Sequence, residues 1–147
     1  RGVRGINLAA GHKLISLIVP KADGRILTVT ENGYGKRTEN AEFPAKGRGG
    51  KGVIAMSTSA RNGSLVGAVQ VWDGDEMMLI SNQGTAVRTR VDEVSLLGRN
   101  TQGVRVIRTR DGEALVSVSR IAEDDDEAAP AEPVKAEEEG GSDATEE

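Results

Sequence analysis

The segment SLVGAVQVWDGDEMMLISNQGTAVRTR occupies residues 64–90 and combines strand-forming runs with turn-forming residues. Asp73-Gly74 and Gln83-Gly84 interrupt the apolar sequence, and Gly and Asx residues tolerate the positive φ angles of tight turns. Short runs rich in β-branched residues between such turns are typical of antiparallel strands. The segment therefore predicts three consecutive strands, at 64–71, 76–82 and 85–89.

The same pattern occurs about fifty residues earlier in the chain. Asp23-Gly24 precedes Asp73-Gly74 by 50 residues, and Asn32-Gly33 precedes Gln83-Gly84 by 51. A period of this length is typical of propeller-like or solenoid proteins, in which one small sheet cannot bury its face alone. A Gly-Val pair opens each repeat, as Gly2-Val3, Gly52-Val53 and Gly103-Val104.

The repeats predict an all-β domain over residues 1–121, built of propeller-like blades with about four antiparallel strands each. Further strands are expected at 14–19, 26–30 and 53–58, the last opening the second repeat. The third repeat has two strand patterns, 103–109 and 114–120, as expected if its strands pair with another repeat to close a ring. For a chain that begins inside the domain, we expect that partner to lie upstream of Arg1. The predicted blade boundaries are about 1–45, 46–96 and 97–121.

The charge of the chain is divided between two parts of opposite sign. Residues 1–121 contain 18 Lys and Arg against 11 Asp and Glu, a net charge of +7, whereas residues 122–147 contain 1 against 12, a net charge of −11. A basic body suggests a polyanionic partner. The acidic tail contains too little apolar surface to fold, so we expect disorder. We also hypothesise that it competes with the partner for the basic body.

Composition excludes several kinds of site. The chain has no cysteine, so it has neither disulfides nor thiolate metal ligands, and a cytoplasmic location fits this composition. No run approaches the roughly 18 apolar residues that cross a bilayer, and we expect no membrane partner. The chain starts at Arg1 inside a repeat, from which we expect it to be the C-terminal piece of a longer protein.

The densest basic segment is KGRGGKG at residues 46–52. Its glycine spacing formally matches a dinucleotide-binding fingerprint, but that motif needs a following helix, and residues 53–58 have a strand pattern. Two interpretations remain: a solvated connection between repeats, and a loop whose backbone and cations grip phosphates. Cations recur at the repeat junctions, which favours phosphate binding. The candidate DNA-contacting residues are Arg1, Arg4, Lys36, Arg37, Arg48, Lys51, Arg88, Arg90, Arg99 and Arg105.

The same segment resembles the basic box of the C-terminal domain family of the DNA gyrase A protein, whose pattern is Q-R-R-G-G-K-G. Five of the seven positions match, in Arg48-Gly49-Gly50-Lys51-Gly52. The family's complete box lies in its first blade, so residues 46–52 correspond to a later copy. Similar stretches are GYGKRT at 33–38, GAVQV at 67–71, VRTR at 87–90 and GRNTQGV at 98–104.

The resemblance implies a β-pinwheel that wraps duplex DNA around a basic rim. In the family this domain serves an ATP-dependent type II topoisomerase that introduces negative supercoils, a bacterial A2B2 assembly of a gyrase A dimer with two copies of the gyrase B protein. ATP and Mg²⁺ act through gyrase B, and the DNA-cleaving tyrosine belongs to the N-terminal part of gyrase A. The resemblance thus implies no catalytic, cofactor or metal site in this chain, and a nucleoid-associated cytoplasmic location. Tyr34 is interpreted as a turn or packing residue.

Two alternatives remain open. The C-terminal domain of the A-type protein of topoisomerase IV has similar blades and wraps DNA less, and the repeats and the acidic tail favour gyrase over it. A propeller-like scaffold that binds acidic protein partners belongs to a different functional class. DNA length separates the two classes, because only a wrapping domain gains affinity as the duplex grows beyond one contact patch.

Overall fold

The computed structural model describes residues 2–122 of the 147-residue chain. The predicted phosphate contact of Arg1 and the predicted disorder of the acidic tail beyond Ala122 lie outside the described residues. Apart from two short 3-10 turns, Asn40–Glu42 and Val91–Glu93, the regular structure described is β-strand, which confirms the all-β prediction. The strands are β1 (Arg25–Thr30), β2 (Tyr34–Glu39), β3 (Leu65–Val71), β4 (Glu76–Ser81), β5 (Ala86–Arg90), β6 (Val104–Arg105) and β7 (Leu115–Ile121).

The strands form two antiparallel sheets that exchange strands between repeats. The first sheet has the order β3-β1-β2-β6 and the second has the order β5-β4-β7. Each hairpin, β1–β2 or β4–β5, is therefore extended by a strand of the next repeat. Both junctions contain the same irregularity, a register shift at Val29/Thr30 and at Ile80/Ser81. The strands of the third repeat pair with strands inside this chain, where β6 joins β2 and β7 joins β4, and not with a partner upstream of Arg1.

Two predicted strands do not form. Residues 14–19 have no ladder partner among the described residues, and Leu14, Leu17 and Val19 are 73%, 94% and 75% exposed. Residues 53–58 are likewise irregular. A strand needs an edge to pair with, and β-propensity without a partner does not produce one. Each sheet combines strands from different repeats, so the sheet order does not test where one blade ends and the next begins. The blade boundaries therefore stay a prediction.

One hydrophobic core joins the two sheets. Leu27 and Val29 of β1 pack in the same cluster as Met77 and Leu79 of β4. Leu115 at the start of β7 closes the cluster. Burying a side chain of this size contributes about 1.5–3 kcal/mol, so this shared core fixes the position of the hairpin turns and of the loops between repeats.

Candidate nucleic-acid interface

The Gly-rich loop is held in place by the N-terminal segment of the chain. The backbone N–H of Gly49 donates to the carbonyl oxygen of Gly5 at 3.0 Å, and the N–H of Asn7 donates to the carbonyl oxygen of Gly50 at 2.8 Å. The Asn7 side-chain amide also donates to the carbonyl oxygen of Gly49. Ile6 and Gly50 form an isolated parallel bridge. The loop is thus a positioned element, with residues 4–7 along one side.

This arrangement brings three of the predicted phosphate contacts onto one exposed element. Arg4, Arg48 and Lys51 are all exposed, and none of them forms an ion pair with a carboxylate among residues 2–122. Gly49 and Gly52 both have φ of 78°, a conformation that glycine adopts readily. No helix follows the loop in the described part of the chain, so the dinucleotide fingerprint lacks the helix N-terminus that would hold a pyrophosphate.

A second cationic group surrounds Tyr34, the first residue of β2. Its side chain is only 4% exposed, as expected for a packing residue. The phenolic oxygen accepts from Nε of Arg61 at 3.1 Å and from Nη2 of Arg105 at 3.0 Å. Both guanidinium groups also lie over the ring, at 5.3 and 5.2 Å from its centroid. These bonds, the one from Arg61 foremost, lower the pKa of Tyr34 because each cation stabilises the phenolate.

Three other predicted contacts are paired with carboxylates. Nη1 of Arg37 lies 3.0 Å from Oδ1 of Asp73, Arg88 pairs with Glu76, and Nη2 of Arg90 lies 3.2 Å from Oδ2 of Asp92. The Arg37 side chain is only 13% exposed, and its Nε also donates to the carbonyl oxygen of Val94 at 2.7 Å. A cation that already has a carboxylate partner offers less charge to a phosphate.

Lys36 is buried, and its assignment as a phosphate contact needs correction. Its relative exposure is 0%, and Nζ donates to the carbonyl oxygens of Gly98, Arg99 and Thr101. Burial, the main cause, lowers the pKa of Lys36 to about 8. Its ammonium group supports the loop at 98–101 from inside the fold, so we leave Lys36 out of the proposed contacts. Val87 stands 51 residues later at the equivalent position, and this apolar counterpart was the sequence signal that the position faces inward.

Arg99 also donates to the protein's own backbone. Nε donates to the carbonyl oxygen of Glu42 at 3.0 Å, and Nη1 donates to that of Ile54 at 2.9 Å. Arg99 therefore connects its own loop to the segments that contain Glu42 and Ile54, all of which lie near the junctions between repeats.

Arg61 is not among the predicted contacts. It lies in the turn Arg61-Asn62-Gly63 before β3, which corresponds to Arg110-Asp111-Gly112 before β7, and both glycines have positive φ, of 77° and 75°. Only the fold shows that Arg61 shares a partner with Arg105. Thus four of the predicted residues, Arg4, Arg48, Lys51 and Arg105, are exposed without a carboxylate partner in the described structure, and Arg61 joins them.

The described residues offer little for other kinds of site. No group of three or more His, Asp or Glu side chains among residues 2–122 is placed to hold a metal ion. Within the same residues, no helix has the length and apolar character needed to cross a membrane.

Comparison with known proteins agrees with this architecture. A family model described as the DNA gyrase C-terminal domain, a beta-propeller, matches residues 1–21, 24–71 and 75–122. The chain belongs to this family. Within the gyrase C-terminal domain family, the matched residues include all seven strands and the Gly-rich loop.

Curated relatives point to the same family. The chain is 58% identical over 123 residues to the DNA gyrase A protein of Pseudomonas aeruginosa, an alignment that covers 84% of this chain and 13% of that protein. It is 59% identical over 126 residues to the DNA gyrase A protein of Escherichia coli, covering 86% and 14%. The chain therefore spans only about one seventh of the length of these relatives.

Solved structures share the fold. A gyrase A C-terminal domain aligns with a TM-score of 0.63 at 34% identity, covering 67% of this chain and 33% of that one. The C-terminal domain of a DNA topoisomerase IV aligns with a TM-score of 0.75 at 24% identity, covering 84% and 39%. At that identity the topoisomerase IV likeness concerns the fold alone, whereas the gyrase likeness extends to the sequence.

Proposed function

We propose that this chain binds the phosphate backbone of duplex DNA and bends the duplex along its basic surface. The observation that carries the proposal is the Gly-rich loop, where Arg4, Arg48 and Lys51 are exposed, unpaired with carboxylates among residues 2–122, and positioned by backbone hydrogen bonds. Contacts of this type position DNA without reading its sequence. Sequence preference then arises from the ease of bending.

In this proposal the chain is the DNA-wrapping part of a gyrase A protein. Two copies of gyrase A and two of gyrase B form the complete bacterial enzyme, which acts in the cytoplasm at the nucleoid. ATP and Mg²⁺ act through gyrase B, and the proposal assigns no residue of this chain to them. The wrapped DNA segment reaches the catalytic part of the enzyme with fixed handedness, so that ATP-driven strand passage introduces negative supercoils.

DNA length provides the test. The full chain is titrated with duplexes of increasing length, and the linking number of a relaxed circle is measured after the chain binds and a nicking-closing enzyme acts. A wrapping domain gains affinity with length and changes the linking number, because a longer duplex reaches more of the basic surface. Affinity that is independent of length, with an unchanged linking number, contradicts the proposal and favours a protein-binding scaffold.

A further inference from the structure

We propose that Arg61 and Arg105, which are held against Tyr34 and form an arginine pair, bind a phosphodiester group of duplex DNA. This inference rests on the proposed DNA-binding function and gives it a second contact site, separate in sequence from the Gly-rich loop.

The first argument is the convergence of the two guanidinium groups. Nε of Arg61 is 3.1 Å and Nη2 of Arg105 is 3.0 Å from one phenolic oxygen, so the two groups meet at a single point. Each guanidinium has five N–H donors in a planar fork, so most donors remain for another acceptor. A phosphate group presents several oxygens and accepts from two such forks at once.

The second argument is the charge balance of the pair. Placing two cations beside one ring costs Coulomb energy that an anion would relieve. Among residues 2–122, no carboxylate forms an ion pair with Arg61 or Arg105. Arg90 differs, because Asp92 lies 3.2 Å away. The arginine pair is thus a concentration of positive charge that the described residues leave uncompensated.

The third argument is that the fold holds both arginines in place before any ligand binds. Arg105 is the direct cross-strand partner of Tyr34 in the β2–β6 ladder. Arg61 lies in a loop fixed to the β1–β2 turn, where the side-chain amide of Asn32 donates to the Arg61 carbonyl oxygen at 3.2 Å. Binding a phosphate therefore costs less side-chain entropy than it would for two free arginines.

The fourth argument concerns the role of the buried tyrosine. Arginine stacks on aromatic faces more readily than lysine does. Its planar guanidinium group can also donate a hydrogen bond to an acceptor atom attached to the ring. Tyr34 supplies both a face and an acceptor, so it orients the guanidinium groups. We assign Tyr34 as a positioning residue of the site, since its side chain is 4% exposed and therefore has little surface with which to contact DNA itself.

The test compares salt dependence in four variants of the full chain, Arg61→Gln, Arg105→Gln, the double variant and Tyr34→Phe. Binding to a short duplex is measured between about 50 and 200 mM salt. Each glutamine substitution should flatten the slope of log K against log salt by about 0.9, and the double variant by about 1.8. Arg25→Gln is the matched control and should leave the slope unchanged, since Arg25 is not a candidate DNA contact and already pairs with Glu39 and Asp73.

Tyr34→Phe separates positioning from charge. It keeps the ring and both cations, so the salt slope should stay at the wild-type value. Affinity at fixed salt should fall about fivefold, because the two arginines lose the acceptor that orders them. Circular dichroism checks that each variant is folded. If the phenylalanine variant unfolds, the substitutions of the exposed Arg61 and Arg105 still test the site. Unchanged affinity in a folded Tyr34→Phe variant overturns the positioning role.

A direct readout uses the fact that Tyr34 is the only tyrosine of the chain. With ¹³C-labelled tyrosine, its ring signal should shift when duplex DNA saturates the wild-type chain. The same signal should stay in place in the double variant, which still binds DNA through the Gly-rich loop.

The outcomes distinguish the two proposals. If Arg48→Gln flattens the slope while the double variant of the arginine pair does not, DNA binding stands and the arginine pair is overturned. An unshifted Tyr34 signal in saturated wild-type chain also overturns it. If the wild-type chain does not bind duplex DNA at all, the proposed function itself fails.

Discussion

The ammonium nitrogen of Lys36 lies 2.9 Å from the carbonyl oxygen of Gly98, a residue 62 positions further along the chain. The same nitrogen also donates to the carbonyl oxygens of Arg99 and Thr101, the latter at 3.1 Å. A strand of the first repeat thus organises the segment that leads into the third repeat. This cation, which the sequence pattern assigns to DNA binding, instead holds the repeats together.

Replacing Lys36 with Met should lower the free energy of unfolding by about 2 kcal/mol, because the carbonyl groups of Gly98, Arg99 and Thr101 lose a charged hydrogen-bond donor. Urea denaturation followed by circular dichroism measures the change. Lys46→Met is the control, since Lys46 is exposed in the Gly-rich loop, and it should change stability by less than about 0.5 kcal/mol. Equal stability of the two variants would show that the hydrogen bonds of Lys36 contribute nothing to the free energy of unfolding.

Lys36 also predicts a pH dependence of stability. Its pKa is lowered to about 8 in the folded protein, whereas an unfolded lysine has a pKa of about 10.4. Between these values the unfolded chain binds more protons than the folded one, so the contribution of Lys36 to stability increases with pH. The unfolding free energy of the wild type minus that of Lys36→Met should rise from about pH 8 to about pH 10. A constant difference across this range would contradict the lowered pKa.

Gly33 and Gly84 offer a matched pair of turn substitutions. They are equivalent positions of successive repeats, with φ of 83° and 82°. An alanine at Gly84 meets no atom within 4 Å and should cost about 1 kcal/mol, the penalty of a left-handed backbone. An alanine at Gly33 would collide with the backbone carbonyl of Ile107, and should cost about 1–3 kcal/mol more. Thermal unfolding of both variants measures the difference, and equal losses would refute the close approach at Gly33.

The Gly-rich loop should carry a measurable share of the phosphate contacts. The double substitution Arg48→Gln with Lys51→Gln should flatten the salt slope by about 1.8, because each lost contact removes about 0.9. Filter binding to a short duplex at several salt concentrations gives the slope. Arg25→Gln again serves as the control of the same charge type, since two carboxylates already pair with it. A slope equal to wild type in the double variant would mean that Arg48 and Lys51 are solvated and do not contact phosphates.

The negative charge of the acidic tail predicts that the tail competes with DNA for the basic body, whatever the conformation of the tail. Residues 122–147 carry a net charge of −11 against +7 for residues 1–121. A chain that ends at residue 121 should therefore bind duplex DNA more tightly at low salt. The gain should shrink as salt rises, because screening weakens attraction between tail and body. Affinities that coincide at low salt would rule out the competition.

The fold was predictable where its signals are local. Turn residues such as Asn32-Gly33 and runs such as 64–71 lie next to each other in sequence, and the hairpins they predict are present. Strand exchange was not predictable in the same way, because β3 and β1 belong to different repeats and their pairing depends on three-dimensional proximity. The apolar run at 14–19 shows the same limit, since its composition favours a strand and the described structure offers it no edge.

The basic character of the candidate site was predictable, whereas the partners of its individual cations were not. Counting charges identified a basic body, but a count does not show which cations already have partners. Arg37 and Arg88 occupy equivalent positions, and both pair with carboxylates. The pair of Arg37 with Asp73 joins two repeats, so it forms only once the sheets have formed.

The exchange of strands has a consequence for how such a domain can evolve. β3 of the second repeat joins the hairpin of the first repeat, and β7 of the third repeat joins the hairpin of the second in the same register. β6 of the third repeat reaches back to β2 of the first. Duplicating a whole unit of about fifty residues therefore supplies a further hairpin together with the strand that extends the hairpin before it. In the proposed function, such a duplication would lengthen the DNA path by a discrete step.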